Sequence, residues 1–313
     1  MAHPTPDAVK NFPLIIVAGP TGVGKSALAL SLAEKLGAEI LCCDSVQVYR
    51  GMDIGTAKVT AEERGRVRHH GLDLVEPDQC FDVEQFSRHA IEVVGATRGP
   101  LVVVGGSGFY LQVFCGPTTD GLTISPSTRS RVESIFQGRG LAGLLEELDR
   151  RSGCRETAID RCNPRRVLRA LERCVESGQS LEAIRAKFSK MSGPFDGLRK
   201  FTVLLEDSGT TYEEHLRTRL RSMLEGGLIG ETECLRRKNF ERNPSACCAV
   251  GYRQVLAYLD GKISSEELPE QIFARTKNLI RRQRSWFRHR LPFNVALAAG
   301  TGAAEKALKF FNF

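Results

Sequence analysis

The feature that most constrains the fold is an eight-residue motif near the N-terminus, reading GPTGVGKS over residues 19–26. It fits the P-loop pattern G-x-x-x-x-G-K-S/T at every fixed position. The apolar run Pro13 to Ala18 before it is typical of a buried parallel strand. After it, leucines recur every four residues from Leu28 to Leu36 and Gly37 follows, which predicts a helix with a glycine C-cap. This order of strand, loop and helix predicts an α/β protein that binds a diphosphate or triphosphate.

Each residue type in the motif suits phosphate binding. Backbone N–H groups of the glycine turn would point at phosphate oxygens, and the start of the following helix adds positive potential. Lys25 is expected to neutralise the terminal phosphate, and the Ser26 hydroxyl to ligate Mg²⁺. The predicted diphosphate-binding residues are Gly19, Pro20, Thr21, Gly22, Val23, Gly24, Lys25 and Ser26. The motif alone leaves kinases, ATPases, GTPases and diphosphate-using transferases open.

Further apolar runs extend this beginning into a sheet. Strand-like segments occur at Glu39 to Cys43, Leu101 to Val104 and Phe201 to Leu205, with helical patterns between them. Strands that alternate with helices predict a parallel sheet covered by helices on both faces. The predicted fold is therefore α/β and P-loop NTPase-like.

One part of the chain departs from this alternation. Between the Pro/Gly/Ser/Thr-rich stretch 116–127 and the turn at 192–194, the pattern is helical and charged, without strand-like runs. We therefore predict a core domain at residues 1–122 and 200–313, with helices towards its C-terminus, and a helical insertion domain at 123–199.

Two polar residues follow strands at the edge where ligands of open α/β sheets bind. Asp44 comes directly after the second strand, and Ser107 lies in the glycine turn Gly105 to Gly108. Asp44 is a candidate general base, with a helix N-cap or an indirect magnesium ligand as alternatives. Ser107 is a candidate to donate a hydrogen bond to a phosphate, or else to cap the next helix. Because Leu101 to Val104 runs into glycine instead of an acidic Walker B residue, the sequence disfavours an ATPase or GTPase.

Composition is typical of a cytoplasmic protein. The ten cysteines show neither C-x-x-C pairs nor zinc spacing, as expected for reduced thiols. The first twelve residues lack a signal-peptide core, and no stretch approaches 18 apolar residues, so neither export nor a membrane segment is expected. A net charge of +7 fits a soluble surface as well as nucleic-acid binding. The position of the charges is therefore more informative than their sum.

The charges concentrate on two predicted helices. Between Arg275 and Arg290 there are seven Lys or Arg residues and no acidic one, within a long helix predicted from about Glu270. Its cationic stripe consists of Lys277, Arg281, Arg284 and Arg288. In the insertion, Asn163-Pro164 is predicted to cap a helix whose arginines, from Arg165 to Arg173, lie largely opposite an apolar face. Such faces suit a phosphate backbone, although a solvated surface is the alternative.

Taken together, several segments resemble the tRNA dimethylallyltransferase family, the bacterial-type tRNA isopentenyltransferases. They are the P-loop, residues 44–58 (DSVQVYRGMDIGTAK), His69-His70, residues 105–110 (GGSGFY), residues 163–166 (NPRR) and residues 251–253 (GYR). The resemblance extends from about residue 13 to 290. It implies transfer of a dimethylallyl group from dimethylallyl diphosphate to the N6 amine of adenosine 37, 3′-adjacent to the anticodon of tRNA, with release of diphosphate.

The resemblance also implies roles for individual residues. Asp44 would accept the amine proton, Ser107 stands where the family usually has threonine, and Arg219 would contact diphosphate. His215 stands where another arginine is expected, so its role stays open. The implied tRNA-binding residues are Asp44, Ser45, Val46, Gln47, Ser107, Arg129, Arg165, Arg166, Val167, Leu168, Arg169, Cys248, Ala249, Val250, Gly251, Tyr252, Arg253, Arg281, Arg282, Gln283 and Arg284. Tyr252 and Trp286 are candidates for base stacking or for the core.

The expected partners are the anticodon stem-loop of tRNA and dimethylallyl diphosphate, with Mg²⁺ as cofactor. A cytoplasmic monomer without a membrane association is expected. One alternative is a P-loop kinase that binds ATP and phosphorylates a small molecule. Others are an enzyme that prenylates free adenine nucleotides and a nucleotide-gated RNA-binding module.

Overall fold

A parallel sheet of six strands forms the centre of the fold in the computed structural model, which describes residues 13–153, 159–207 and 212–311. The strands are β1 Leu14–Ala18, β2 Glu39–Cys42, β3 His69–His70, β4 Leu101–Gly105, β5 Lys200–Glu206 and β6 Val295–Ala298. Their spatial order is β3-β2-β4-β1-β5-β6, and every neighbouring pair is parallel. The four predicted strands are confirmed. β3 and β6 are not predicted from the sequence: β3 has only two residues, and β6, although apolar (VALA), is a short, half-exposed strand at the sheet edge.

Thirteen helices are present in the described residues. They are α1 Lys25–Leu36, α2 Ala61–Arg66, α3 Val83–Ala96, α4 Gly108–Leu111, α5 Pro126–Ser152, α6 Pro164–Ser177, α7 Leu181–Phe188, α8 Tyr212–Glu225, α9 Leu228–Arg237, α10 Pro244–Cys247, α11 Tyr252–Leu259, α12 Glu267–Arg290 and α13 Ala303–Phe310. Short 3-10 helices occur at Gln112–Phe114 and Phe240–Arg242. The predicted cap of α1 is confirmed, because Gly37 adopts a left-handed conformation with φ 61°.

The central strand β1 shows why both faces of the sheet are covered. All five of its side chains are buried. Ile15 and Val17 pack into one apolar cluster with α1, α8 and α12, whereas Leu14 and Ile16 pack into a second with α3. Successive side chains of a strand point to opposite faces, so a continuous apolar run requires helices on each side. The α/β fold with helices on both faces is therefore confirmed.

The chain divides into two compact units. One ends at Cys115 and resumes at Pro194, and the other is Gly116–Gly193. The sequence places these borders several residues later, at 123 and 199. The earlier borders follow from packing: Phe195 stacks on Phe114 at 4.9 Å between ring centroids inside the first unit. A Cβ at Gly193 would lie 2.5 Å from the backbone of Gly116, so the ends of the second unit meet backbone to backbone.

The second unit is the predicted helical insertion. Its helices α5, α6 and α7 surround their own apolar cluster, which includes Val132, Leu148 and Leu171. The predicted cap of α6 is confirmed, since the Asn163 side chain accepts a hydrogen bond from the Arg166 N–H at 3.2 Å.

The long last helix α12 has the two faces that its sequence predicts. Ile272, Ile280 and Phe287 are buried, whereas the cationic stripe of Lys277, Arg281, Arg284 and Arg288 is exposed. The helix begins at Glu267, slightly before the predicted start. Across the described part of the chain, no helix is both long enough and apolar enough to span a membrane.

Candidate active site

The glycine-rich loop Gly19–Ser26 connects β1 to α1 and leaves the start of that helix open. Gly22 and Gly24 have φ of 78° and 93°, a left-handed conformation that other residues adopt only under strain. A Cβ at Gly19 would lie 2.5 Å from the carbonyl oxygen of Leu205 on β5, so only glycine fits there. No side chain caps the N-terminus of α1, and its first turn carries no acidic residue. Its N–H groups can therefore bind an anion.

Lys25 begins α1 and points back into the loop. Its Nζ donates a hydrogen bond to the Pro20 carbonyl at 2.7 Å. Burial lowers the pKa of Lys25 to about 8, with Asp44 opposing the shift and Arg219 adding to it. A buried ammonium of this kind is stabilised by an incoming anion.

Asp44 lies at the carboxyl end of β2 and faces the same space. Its Oδ1 accepts a hydrogen bond from the Val46 N–H at 2.9 Å, which holds a turn. Asp44 caps no helix, so that alternative is excluded. Arg219 reaches the site from α8, where burial lowers the pKa of its guanidinium and Asp44 raises it. Asp44 therefore lies within electrostatic reach of both Lys25 and Arg219.

Ser107 follows β4 and precedes α4. Its side chain makes no capping hydrogen bond to that helix, so the capping alternative is not observed. Next to it, Gly108 packs against the Trp286 ring, which a Cβ would approach to 2.3 Å. Trp286 is thus partly buried beside α4 and contacts Phe287 edge-to-face.

Two cavities meet at these residues. The first, of about 280 Å³, is lined by the glycine-rich loop and by polar side chains such as Gln47, Lys58 and His69. The second, of about 130 Å³, has mainly apolar walls: Leu216, Leu220, Met223, Leu228, Ile272 and Leu279. The residues that line both are Thr21, Lys25, Asp44, Thr56, Gly106 and Arg219. A polar and a more apolar compartment therefore share a boundary that includes three charged side chains, those of Lys25, Asp44 and Arg219.

The loop that carries Thr56 is held by a residue that sequence reasoning missed. Glu231 on α9 accepts hydrogen bonds from the backbone N–H groups of Asp53, Ile54 and Gly55 at 3.0, 2.7 and 3.1 Å. It also accepts one from the Tyr252 hydroxyl at 2.6 Å. No local motif marks Glu231, because its partners lie far away in sequence.

The same contacts change the interpretation of Tyr252. Its side chain is completely buried, and a Cβ at Gly55 would lie 2.6 Å from its ring. Tyr252 therefore supports the loop and offers no exposed face to a base. Val167, another predicted tRNA-binding residue, is buried in the insertion cluster, since it lies on the apolar face of α6.

Most of the other predicted tRNA-binding residues are accessible. Ser45, Val46, Gln47, Ser107, Leu168, Ala249 and Val250 are half-buried, and Gly251 is buried. The exposed residues are Cys248 and the arginines Arg129, Arg165, Arg166, Arg169, Arg253, Arg281, Arg282 and Arg284. His215 is also exposed on α8, and the structure assigns it no contact with the cavities.

Gln283 differs from its neighbours on α12 because its side chain turns inward. Its Oε1 accepts a hydrogen bond from the Thr21 N–H at 2.9 Å, and its Nε2 donates one to the Gly106 carbonyl at 2.8 Å. The side-chain amide therefore links α12 to the glycine-rich loop and to the turn after β4.

Comparison with known proteins places these features in a family. A family model described as IPP transferase matches residues 47–290. The tRNA dimethylallyltransferase of Opitutus terrae is 40% identical over 283 residues, covering 89% of this chain and 91% of that protein. The crystal structure of full-length tRNA isopentenylpyrophosphate transferase from Bacillus halodurans is 29% identical with a TM-score of 0.66, covering 96% of this chain and 95% of that chain. A eukaryotic dimethylallyltransferase acting on tRNA shares the fold, with a TM-score of 0.78 at 24% identity over 95% of this chain and 78% of that one.

Proposed function

The chain belongs to the IPP transferase family, and on that premise we propose that it transfers a dimethylallyl group from dimethylallyl diphosphate to the N6 amine of adenosine 37 in tRNA, releasing diphosphate. The observation that carries this proposal is the pair of cavities that share Lys25, Asp44 and Arg219. A donor with a charged diphosphate and a short apolar chain needs two adjoining compartments of opposite character.

The donor fits these compartments in size and chemistry. The diphosphate lies against the glycine-rich loop, where Lys25 and Arg219 bind it. The five-carbon chain enters the second cavity of about 130 Å³. An apolar cavity of roughly 150 Å³ holds benzene, so a five-carbon chain is of suitable size. The allylic carbon then lies at the shared boundary, next to Asp44.

The reaction follows from this placement. The N6 nitrogen attacks the allylic carbon, the carbon–nitrogen bond forms, and the carbon–oxygen bond to diphosphate breaks. Asp44 accepts the proton that the amine loses. Lys25, Arg219 and the N–H groups at the start of α1 stabilise the negative charge that develops on diphosphate. Ser107, at the same edge of the sheet, would donate a further hydrogen bond to diphosphate.

Mg²⁺ fits this site. Ser26 lines the first cavity and offers a hydroxyl oxygen, a type of ligand that Mg²⁺ accepts. In the described ranges, no group of three or more His, Cys, Asp or Glu side chains is arranged to hold a metal. The remaining ligands would be diphosphate oxygens and water, as is common for Mg²⁺. The ion would neutralise charge on the leaving group.

The exposed arginines are suited to tRNA. On α12, Arg281, Arg282 and Arg288 project from the surface, and the insertion presents Arg165 and Arg166 on α6. Guanidinium groups bind phosphate oxygens without reading sequence, so they would fix the position of the stem-loop. The enzyme would act as a monomer, and tRNA as substrate supports action in the cytoplasm.

The decisive experiment supplies the protein with Mg²⁺, dimethylallyl diphosphate and unmodified tRNA. Mass spectrometry of nuclease digests is expected to show one prenyl adduct on the adenosine next to the anticodon. A second arm replaces the donor with ATP and measures its hydrolysis with small-molecule acceptors. ATP turnover without a prenyl adduct would contradict the proposal and favour a kinase.

Leu279→Phe is expected to obstruct the apolar cavity. The larger ring occupies part of a space of about 130 Å³. A misfit of about one methylene in a hydrophobic substrate pocket is worth about 1–3 kcal/mol, so kcat/KM for dimethylallyl diphosphate should fall by about 10- to 200-fold. The Kd for inorganic diphosphate, which lacks the chain, should stay within about twofold of wild type. Calorimetry and steady-state kinetics measure the two quantities.

The matched control is Leu259→Phe. Leu259 is half-buried on α11 and lines neither cavity. It should retain wild-type kinetics. Equal losses in both variants, or an unaffected Leu279→Phe enzyme, would show that the donor chain does not enter this cavity.

A further inference from the structure

Gln283 occupies an unusual position on a basic helix. It lies among Arg281, Arg282 and Arg284, all of which are exposed, yet its own side chain is half-buried and hydrogen-bonded at both ends. The two partners lie on different segments, the glycine-rich loop and the turn after β4. A single side chain thus joins three parts of the active site.

The orientation of the Gln283 amide follows from its partners. The Thr21 backbone offers an N–H, so it must face the oxygen Oε1, and the Gly106 carbonyl must face the nitrogen Nε2. A flipped amide would lose both hydrogen bonds. A Cβ at position 106 would lie 2.8 Å from Nε2 of Gln283 and 3.5 Å from Nζ of Lys25. Glycine at 106 therefore makes room for the link, beside the lysine that binds diphosphate.

The backbone of Thr21 is held by a second side chain besides Gln283. The Tyr212 hydroxyl donates a hydrogen bond to the Thr21 carbonyl at 2.6 Å. Burial raises the pKa of Tyr212 to about 12, so the hydroxyl keeps its proton at neutral pH. The Arg284 guanidinium lies 5.4 Å from the centre of the Tyr212 ring. Two consecutive residues of α12 thus contact Thr21, one directly and one through Tyr212.

We infer that Gln283 is a positioning residue that couples tRNA binding on α12 to the geometry of the diphosphate loop. This inference rests on the proposed function. A phosphate backbone held by Arg281 and Arg282 fixes α12, and Gln283 transmits that position to Thr21, which lines both cavities. Conversely, diphosphate in the loop fixes Thr21 and, through Gln283, the helix. The donor's reacting carbon and the acceptor base are thereby aligned by the same side chain.

Such a link has a measurable signature, because coupling between two ligands is reciprocal. Inorganic diphosphate with Mg²⁺ is expected to tighten tRNA binding to the wild-type protein by at least about fivefold, and tRNA should tighten diphosphate binding by the same factor. Gln283→Met has a similar length but cannot make either hydrogen bond. The coupling factor is the ratio of the Kd for tRNA without diphosphate to the Kd with it. In Gln283→Met this factor should lie between about one and two, and kcat should fall by more than the KM for either substrate changes.

The comparison variants separate this role from general damage. Arg281→Ala removes one of the two phosphate contacts but leaves Arg282 and both Gln283 hydrogen bonds in place, so it should weaken tRNA binding and lower the coupling factor less than Gln283→Met does. Tyr212→Phe removes only the hydrogen bond from the Tyr212 hydroxyl to the Thr21 carbonyl, so it should lower the coupling factor less than Gln283→Met does. Thermal unfolding of all variants checks that they are folded.

The measurements are tRNA filter binding with and without inorganic diphosphate, and calorimetry of diphosphate with and without tRNA. A Gln283→Met protein with the wild-type factor would overturn the inference, and so would a wild-type factor of one. If either of these results is found but the wild type still transfers a prenyl group to tRNA, the inference about Gln283 is wrong and the proposed function is retained. A wild-type protein that forms no prenyl adduct on tRNA would contradict both the proposed function and the inference that rests on it.

Discussion

Asp44→Asn is expected to lower kcat for prenyl transfer by about 10²- to 10⁴-fold, the usual effect of removing a general base. Asparagine keeps the side-chain oxygen that accepts a hydrogen bond from the Val46 N–H at 2.9 Å, so the turn after β2 should persist. What it loses is the capacity to accept a proton. Single-turnover kinetics with saturating tRNA and donor measures the chemical step directly.

The controls for Asp44 distinguish chemistry from binding. The Kd for tRNA should stay within about threefold of wild type, because the arginines that would contact the backbone are untouched. Asp78→Asn removes an exposed carboxylate that lines neither cavity and should transfer at the wild-type rate. An Asp44→Asn enzyme with nearly normal single-turnover rates would refute the role of Asp44 as base.

Lys25→Met should lower kcat/KM for dimethylallyl diphosphate by about 10²- to 10³-fold, as loss of one preorganised charge donor does in other active sites. The wild type should also show a pH dependence. Since burial lowers the pKa of Lys25 to about 8, the ammonium loses its proton as the pH rises through that value. Only the protonated form attracts an anion, so diphosphate affinity should fall above pH 8, by up to about tenfold per pH unit.

Lys25→Arg provides the matched comparison, because a guanidinium keeps its proton throughout this range. Its diphosphate affinity should vary less between pH 7 and 9.5 than that of the wild type. Ionisation of diphosphate itself is common to both proteins and cancels in the comparison. Identical pH profiles would mean that Lys25 is not the group that titrates.

Local patterns suffice to predict the framework of this site. The motif 19–26 places backbone N–H groups, an ammonium and a hydroxyl within one loop, so its geometry depends on neighbours in sequence. The same holds for the buried strands β1 and β4 and for the two faces of α12. Asp44 is also predictable, because the carboxyl ends of parallel strands meet at one edge.

The supports of the site are not predictable in this way. Gln283 hydrogen-bonds to Thr21 across 262 positions, and Glu231 to Asp53 across 178. A sequence shows that Gln283 lies among arginines, which suggests contact with RNA, but not that its side chain turns inward. Tyr252 is a similar case, because the sequence cannot show that Gly55 makes room for its ring. Long-range pairing, unlike periodicity, leaves no local signal.

The close approach of Gly116 and Gly193 has an evolutionary consequence. Because the two ends of the insertion lie next to each other, the insertion can replace a short loop between Cys115 and Pro194. Loop-closure entropy grows only slowly with length, so segments of very different size can occupy this position at similar cost. Lineages could therefore lengthen, shorten or exchange this module while the sheet and the glycine-rich loop stay unchanged. The insertion can thus diversify independently of the sheet and the glycine-rich loop.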